Sequence, residues 1–237
     1  MRIVVHADGE TLARRAAEHI AGLIKQSAGP RVALGLAGGS TPKATYEELR
    51  WLPVNWDIVD LWLSDERWVA PDHDDSNGAM AAATLADHVE ARFFRTRWSR
   101  HVRPRDAAAF YEADLRRIIP DGRSDIILLG MGSDGHTASL FPGTEALDEK
   151  ERWFVANEVP HLDTWRLTAT ATMIQRAGAV VVLTAGDTKA EMVATAFEGE
   201  DGTIPIQLLR QAEGHVVWLV DEAAASMLSE TPVERAL

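Results

Sequence analysis

Six short apolar runs, spaced by longer segments of helical pattern, set the tightest limit on what this chain can fold into. They are IVV (3–5), VALGLA (32–37), IVDLWL (58–63), DIILLG (125–130), AVVVLTAG (179–186) and HVVWLV (215–220). A strand with one wet face alternates apolar and polar residues, whereas several of these runs are apolar throughout. That pattern is expected of central parallel strands covered on both faces. The cover is supplied between the runs by GETLARRAAEHIAGLIKQSAG, TPKATYEELRWL, NGAMAAATLADHV, RDAAAFYEADLRRIIP and DTKAEMVATAFEG, rich in Ala, Leu, Glu and Arg at helical spacing. The expected architecture is a three-layer α/β fold, a mostly parallel sheet with helices on both faces. Only residues 151–168 break the rhythm: RWFVANEV and RLTAT read as strands with no helix between them, and are expected at a small antiparallel edge. No repeat, low-complexity tract or linker divides the chain, so residues 1–237 read as a single domain.

Charge narrows the partners. A formal net charge of -12 and a pI near 5.1 repel nucleic acid and anionic membrane, so an anionic small molecule would have to meet a locally basic pocket. There are no cysteines, which excludes disulfides, thiolate zinc sites and a cysteine nucleophile, and fits a reducing cytoplasm. MRIVVHADGE is too short and polar for a signal peptide, and no run approaches the ~18 apolar residues of a membrane span. A soluble, cytoplasmic protein is the expectation.

In open parallel sheets ligands bind beyond the carboxyl ends of the strands, so the loops after the apolar runs are where chemistry is sought. After VALGLA comes AGGSTPKATYEEL, in which Ser40 or Thr41 can cap a helix with Pro42 in its first position. Gly38 and Gly39 would let an anion approach the free N–H groups of that helix. An ordinary strand-to-helix turn fits the same letters. An ATP-binding loop does not, because Lys43 follows the serine and threonine instead of preceding them. After IVDLWL, Asp65 can act as a base or orient a hydroxyl and Arg67 offers a planar fork to a phosphate or carboxylate. Glu66 reads as half of a surface ion pair. The DHDDSNG that follows is no calcium loop, since Gly78 falls one position late and Ala83 stands where the bidentate glutamate is required; Asn77 reads as a helix cap.

LLGMGSDGHTASLFPG (128–143) holds a G-x-G-x-x-G at Gly130, Gly132 and Gly135. A dinucleotide fingerprint needs a long helix straight after the third glycine, and Pro142 and Gly143 interrupt it. A serine-hydrolase elbow around Ser133 fails as well, because Met131 occupies a glycine position. What remains is a turn that projects Asp134 and His136 from a buried strand. An imidazole there suits general-base activation of water, with the carboxylate fixing its tautomer. A loop histidine bonded to its own turn is the other reading, and the residues alone leave both open. Arg166 opens RLTAT. Lys189 lies near the start of a helix, where the macrodipole disfavours a cation, and this hints at an anion partner; solvent exposure explains either residue equally well.

Taken together, VALGLAGGSTPKATYEEL, LWLSDERWVAPDHDDSN, DIILLGMGSDGHTASLFPGT, RLTATATMI and VVLTAGDTKAEMV resemble the 6-phosphogluconolactonases, in order and over nearly the whole chain. The resemblance implies the Rossmann-like fold shared with glucosamine-6-phosphate deaminase and ribose-5-phosphate isomerase. It also implies hydrolysis of 6-phospho-D-glucono-1,5-lactone in the oxidative pentose phosphate pathway, with no metal and no organic cofactor. On this resemblance His136 is the base with Asp134 beside it, and Arg67 and Lys189 clamp the phosphate. Gly38, Gly39 and Ser40 add backbone and hydroxyl contacts, Asp65 a contact near the sugar, and Arg166 support at the wall. Ala169 departs from the bulkier residue usual in relatives, which bears on local packing. A monomer or weak homodimer is expected. Two alternatives differ in class. A sugar-phosphate deaminase or isomerase would resemble D-E-Y where this chain has Asp65, Glu66 and Arg67, and N-E-P after its D-G-H. A noncatalytic sugar-phosphate sensor would need a DNA-binding module, for which there is neither spare length nor a basic helix.

Overall fold

In a computed structural model, which describes residues 1–229 and 231–235, strands and helices alternate as the apolar pattern requires. In chain order they are β1 (Arg2–His6), α1 (Gly9–Gln26), β2 (Val32–Leu36), α2 (Ser40–Leu49), β3 (Val59–Leu63), β4 (Asp65–Arg67), α3 (Asn77–Thr84) and β5 (Arg92–Phe94). There follow α4 (Pro104–Ile118), β6 (Ile126–Leu129), β7 (Phe154–Val159), β8 (Thr164–Ala169), α5 (Ala171–Gln175), β9 (Ala179–Thr184), α6 (Ala190–Glu198), β10 (His215–Asp221) and β11 (Glu234–Arg235). No helix among the described residues is long and apolar enough to cross a membrane.

Eight strands form one sheet in the order β11-β1-β10-β9-β6-β2-β3-β5, every pairing parallel. Every residue of β2, β3, β6 and β9 is buried, as an apolar run covered on both faces must be. The amphipathic helix α1 turns Leu12, Ala13, Ala16, Ala17, Ile20 and Ile24 inward, and Asp8 caps its start by accepting from the Thr11 N–H at 2.7 Å. Burying a leucine or isoleucine in this way contributes about 1.5–3 kcal/mol. Trp62 of β3 is wholly buried across Gly35, where a methyl would stand 2.6 Å from the indole.

The antiparallel element forms, but as a sheet of its own and not as an edge of the larger one. Its order is β4-β8-β7, because Asp65–Arg67, running on from β3, supplies a third strand that a loop reading did not anticipate. Winding sets the place of the crevice. From β2 the chain builds outward through β3 and β5, then returns to lay β6 on the other side of β2. The loops after β2 and β6 therefore diverge, and an open sheet takes its ligand at such a switch point.

Candidate active site

A pocket of about 360 Å³ opens at that switch point, walled by the ends of β2, β3, β6 and β9 and by the small sheet. Gly38, Gly39, Ser40, Asp65, Arg67, His136, Arg166 and Lys189 all line it. Asp134 stands behind His136 instead of on the wall. Two buried tyrosines hold the strand ends. The Tyr46 hydroxyl accepts from the Ala37 N–H and donates to the Ala37 carbonyl, both at 2.9 Å. The Tyr111 hydroxyl accepts from the Leu63 N–H at 2.7 Å and donates to the Phe94 carbonyl at 3.0 Å.

No helix starts directly after Gly135, so the G-x-G-x-x-G makes a turn and no nucleotide cradle. Gly135 has φ +76° and lies so close to Ile204 that a Cβ would stand 2.6 Å from it. At Gly132 a Cβ would meet the His136 ring at 2.2 Å and Asp134 Oδ1 at 2.6 Å. The missing side chain is what lets the dyad close: His136 Nδ1 lies 2.5 Å from Asp134 Oδ1. That contact leaves Nε2 as the nitrogen to take up a proton. Phe141 packs on the imidazole, ring centroids 4.1 Å apart. Burial raises the Asp134 carboxyl, but the His136 N–H and the imidazole beside it outweigh burial and hold it below the ordinary carboxylate value.

The turn is braced on all sides. Thr137 Oγ1 donates to the Gly130 carbonyl at 2.9 Å, and Asn157 Nδ2 donates to the Ser139 carbonyl at 2.9 Å. Ser139 Oγ donates to Asp65 Oδ2 at 2.7 Å, while Asn77 Nδ2 donates to Asp65 Oδ1 at 3.1 Å. Asp65 therefore ties the His136 turn to β4 and α3, a positioning duty the sequence reading did not give it. Ala138, between these anchors, is held at φ +48° on the pocket wall, a strained conformation for a residue with a Cβ.

Several expectations change. The cap of α2 is Gly39, with Ser40 already in the first turn and Pro42 two residues further in, so neither Ser40 nor Thr41 is the cap. The Gly38 side is filled by Asn77, whose Oδ1 would lie 1.9 Å from an added Cβ. The cap of α3 is Ser76, which accepts from the Ala79 N–H at 3.0 Å, and this frees Asn77 to hold Asp65. Glu66 is buried and belongs to no surface ion pair. It accepts from the N–H groups of Arg67, Asn77 and Gly78 and from the Ser76 hydroxyl, at 2.7–3.0 Å. Burial pushes its carboxyl up, against the pull of those donors.

Cation placement points to the ligand. In the register of β4 and β8, Arg67 sits directly opposite Arg166, and like charges so placed repel. Burial lowers the Arg166 pKa, and the neighbouring Arg67 lowers it further. Arg67 Nη1 donates to the Asp75 carbonyl at 2.8 Å, and Lys189 joins the two arginines on the wall from the end of the short turn Asp187–Lys189 that leads into α6. Three cations about one crevice of an acidic chain suit a phosphate. Among the described residues no group of three or more His, Cys, Asp or Glu side chains is placed to hold a metal ion. Asn77, Ser139 and Phe141 went unread as pocket residues; the only sequence signal for them was their place at the start of the helix that follows β4, for Asn77, and in the loop after β6, for the other two.

Comparison with known proteins gives a consistent picture. The family model described as glucosamine-6-phosphate isomerases/6-phosphogluconolactonase matches residues 7–218. A 6-phosphogluconolactonase of a Nostoc species is 36% identical over 208 residues, 84% of this chain and 85% of that one. The structure of the 6-phosphogluconolactonase from Trypanosoma brucei superposes with a TM-score of 0.84 at 28% identity, covering 96% of this chain and 98% of that one. A monomeric glucosamine-6-phosphate deaminase superposes with a TM-score of 0.80 at 25% identity, covering 96% of this chain and all of that one (100%).

Proposed function

The chain belongs to the glucosamine-6-phosphate isomerase/6-phosphogluconolactonase family, and we propose that within it this protein hydrolyses 6-phospho-D-glucono-1,5-lactone to 6-phospho-D-gluconate. One observation carries the reading: a carboxylate-backed imidazole and an opposed arginine pair line one pocket. His136 Nε2 takes a proton from water as the oxygen attacks the lactone carbonyl. The tetrahedral intermediate collapses by breaking the bond to the ring oxygen, which leaves with the proton held by the imidazolium. Asp134 fixes the tautomer and balances the transient positive charge. Lactones are activated esters, so the scheme needs no covalent nucleophile. Arg67, Arg166 and Lys189 bind the phosphate, with the α2 terminus at Gly38, Gly39 and Ser40 as a further anion contact. Asp65 acts through Ser139, holding the turn.

The deaminase reading is supported by the fold it shares, and disfavoured by Arg67 at the position where those enzymes resemble tyrosine. We also read residues 1–237 as one domain, since strands from both ends of the chain share one sheet. The acidic charge disfavours nucleic-acid and anionic-membrane partners, and the absence of cysteine fits a reducing cytoplasm; a monomer or weak homodimer completes the reading. The test is to generate the lactone in situ from glucose 6-phosphate and follow acid release with chelator present. Acceleration over spontaneous hydrolysis is expected. No acceleration, or ammonia release from glucosamine 6-phosphate, would overturn the assignment.

A further inference from the structure

We infer that Thr184 binds a hydroxyl of the substrate's sugar portion and selects for it. Thr184 ends β9 and lines the pocket, yet is only 2% exposed. Its Oγ1 is buried without a hydrogen-bond partner among the described residues. A buried hydroxyl that no protein group satisfies needs a partner from outside the folded chain. Among the described residues the other buried side-chain atoms in this condition belong to His6, His19, Arg50, Asn157 and Trp218, and none of those residues lines the pocket. Thr184 alone among them lies on the pocket wall, where a bound molecule can supply the missing partner.

The chemistry of the gap identifies the partner. A threonine hydroxyl both donates and accepts, and here both capacities are open. Phosphate oxygens mainly accept, and the pocket already provides Arg67, Arg166 and Lys189 for them. A sugar hydroxyl donates and accepts at once and completes the threonine. The immediate neighbours on the wall, Leu183 and Ala185, offer no side-chain polar group that could do the same. A specificity group of this kind rejects an analogue lacking the hydroxyl, because the threonine is then left buried and unpaired.

This inference rests on the sugar-phosphate reading of the pocket, and direct binding separates the two. Thr184→Val keeps the shape and removes the hydroxyl. Isothermal titration with 6-phosphogluconate should show roughly tenfold weaker binding, about the worth of one lost hydrogen bond. Titration with inorganic phosphate should be unchanged, and Thr184→Ser should restore the tight value. The thermal midpoint of Thr184→Val should equal or exceed that of the wild type. Unchanged 6-phosphogluconate affinity, an equal loss for phosphate, or a lowered midpoint would each overturn the role. Wild-type protein that binds 6-phosphogluconate through Thr184 without accelerating lactone hydrolysis would sink the catalytic reading and leave this one standing.

Discussion

The His136 turn and the Arg67/Arg166 pair face the same pocket but are built on opposite terms. Around the turn, polar groups find partners within the protein: Thr137 on Gly130, Ser139 on Asp65, Asn157 on Ser139, Asp134 on the imidazole. The arginines are instead set opposite each other across two strands, and at Arg166 burial and the Arg67 charge outweigh the opposing pull of Asp65, Asp75 and Glu66. One region is complete without ligand; the other is relieved when an anion arrives. Reaction geometry is thus held by contacts within the turn, while the cations are only partly offset by Asp65, Asp75 and Glu66, and the two should separate in kinetics.

The largest effect is expected at the turn. His136→Ala should lower kcat by about 10³-fold, within the range of a lost general base, and leave the Kd for 6-phosphogluconate within about threefold. Near-normal turnover would end the comparison, since the turn would then be no more than scaffolding. At the clamp, Arg166→Ala should raise KM by roughly tenfold or more with little change in kcat, as loss of a contact shared by ground and transition states does. Its ligand-free thermal midpoint should hold or rise, because a repulsion is removed; a clear fall would show that the pair is not strained. The smallest effect concerns Asp134. Its carboxyl titrates below the ordinary value of 3.8 in the folded chain, so its stabilising contribution is present above that pH and is lost as pH falls through the lower, folded value. Urea midpoints of wild type and Asp134→Asn should differ modestly at pH 6 and converge as pH drops well below 3.8, the side chain being 40% exposed. A constant gap would detach the dyad from stability.

The contrast also marks what can be read from letters. Apolar runs announced every central strand, because burial on both faces writes itself as Val, Ile and Leu at consecutive positions. The D-G-H turn was legible because its glycines and its histidine are neighbours in sequence. The opposition of Arg67 and Arg166 was not, since they are 99 residues apart and meet only through an antiparallel register. Glu66 misled for the same reason. A charged residue beside Arg67 suggests an ion pair, while its real partners are the N–H groups of Asn77 and Gly78, which come within reach only once α3 has folded back. Asn77 and Ser139 were likewise hidden, each joined to Asp65 by a fold-level contact.

Strand order also bears on how the chain comes to be made. Residues 2–6 are synthesised long before their neighbours in the sheet: among the described residues they pair only with His215–Asp221 and Glu234–Arg235. At synthesis rates of about 5–20 residues per second, β1 therefore waits on the order of 10–40 s for its neighbour. Strands β2, β3, β6 and β9, which bear most of the pocket, are all synthesised within that interval, so strand order allows the pocket's frame to pair before β1 has its neighbour.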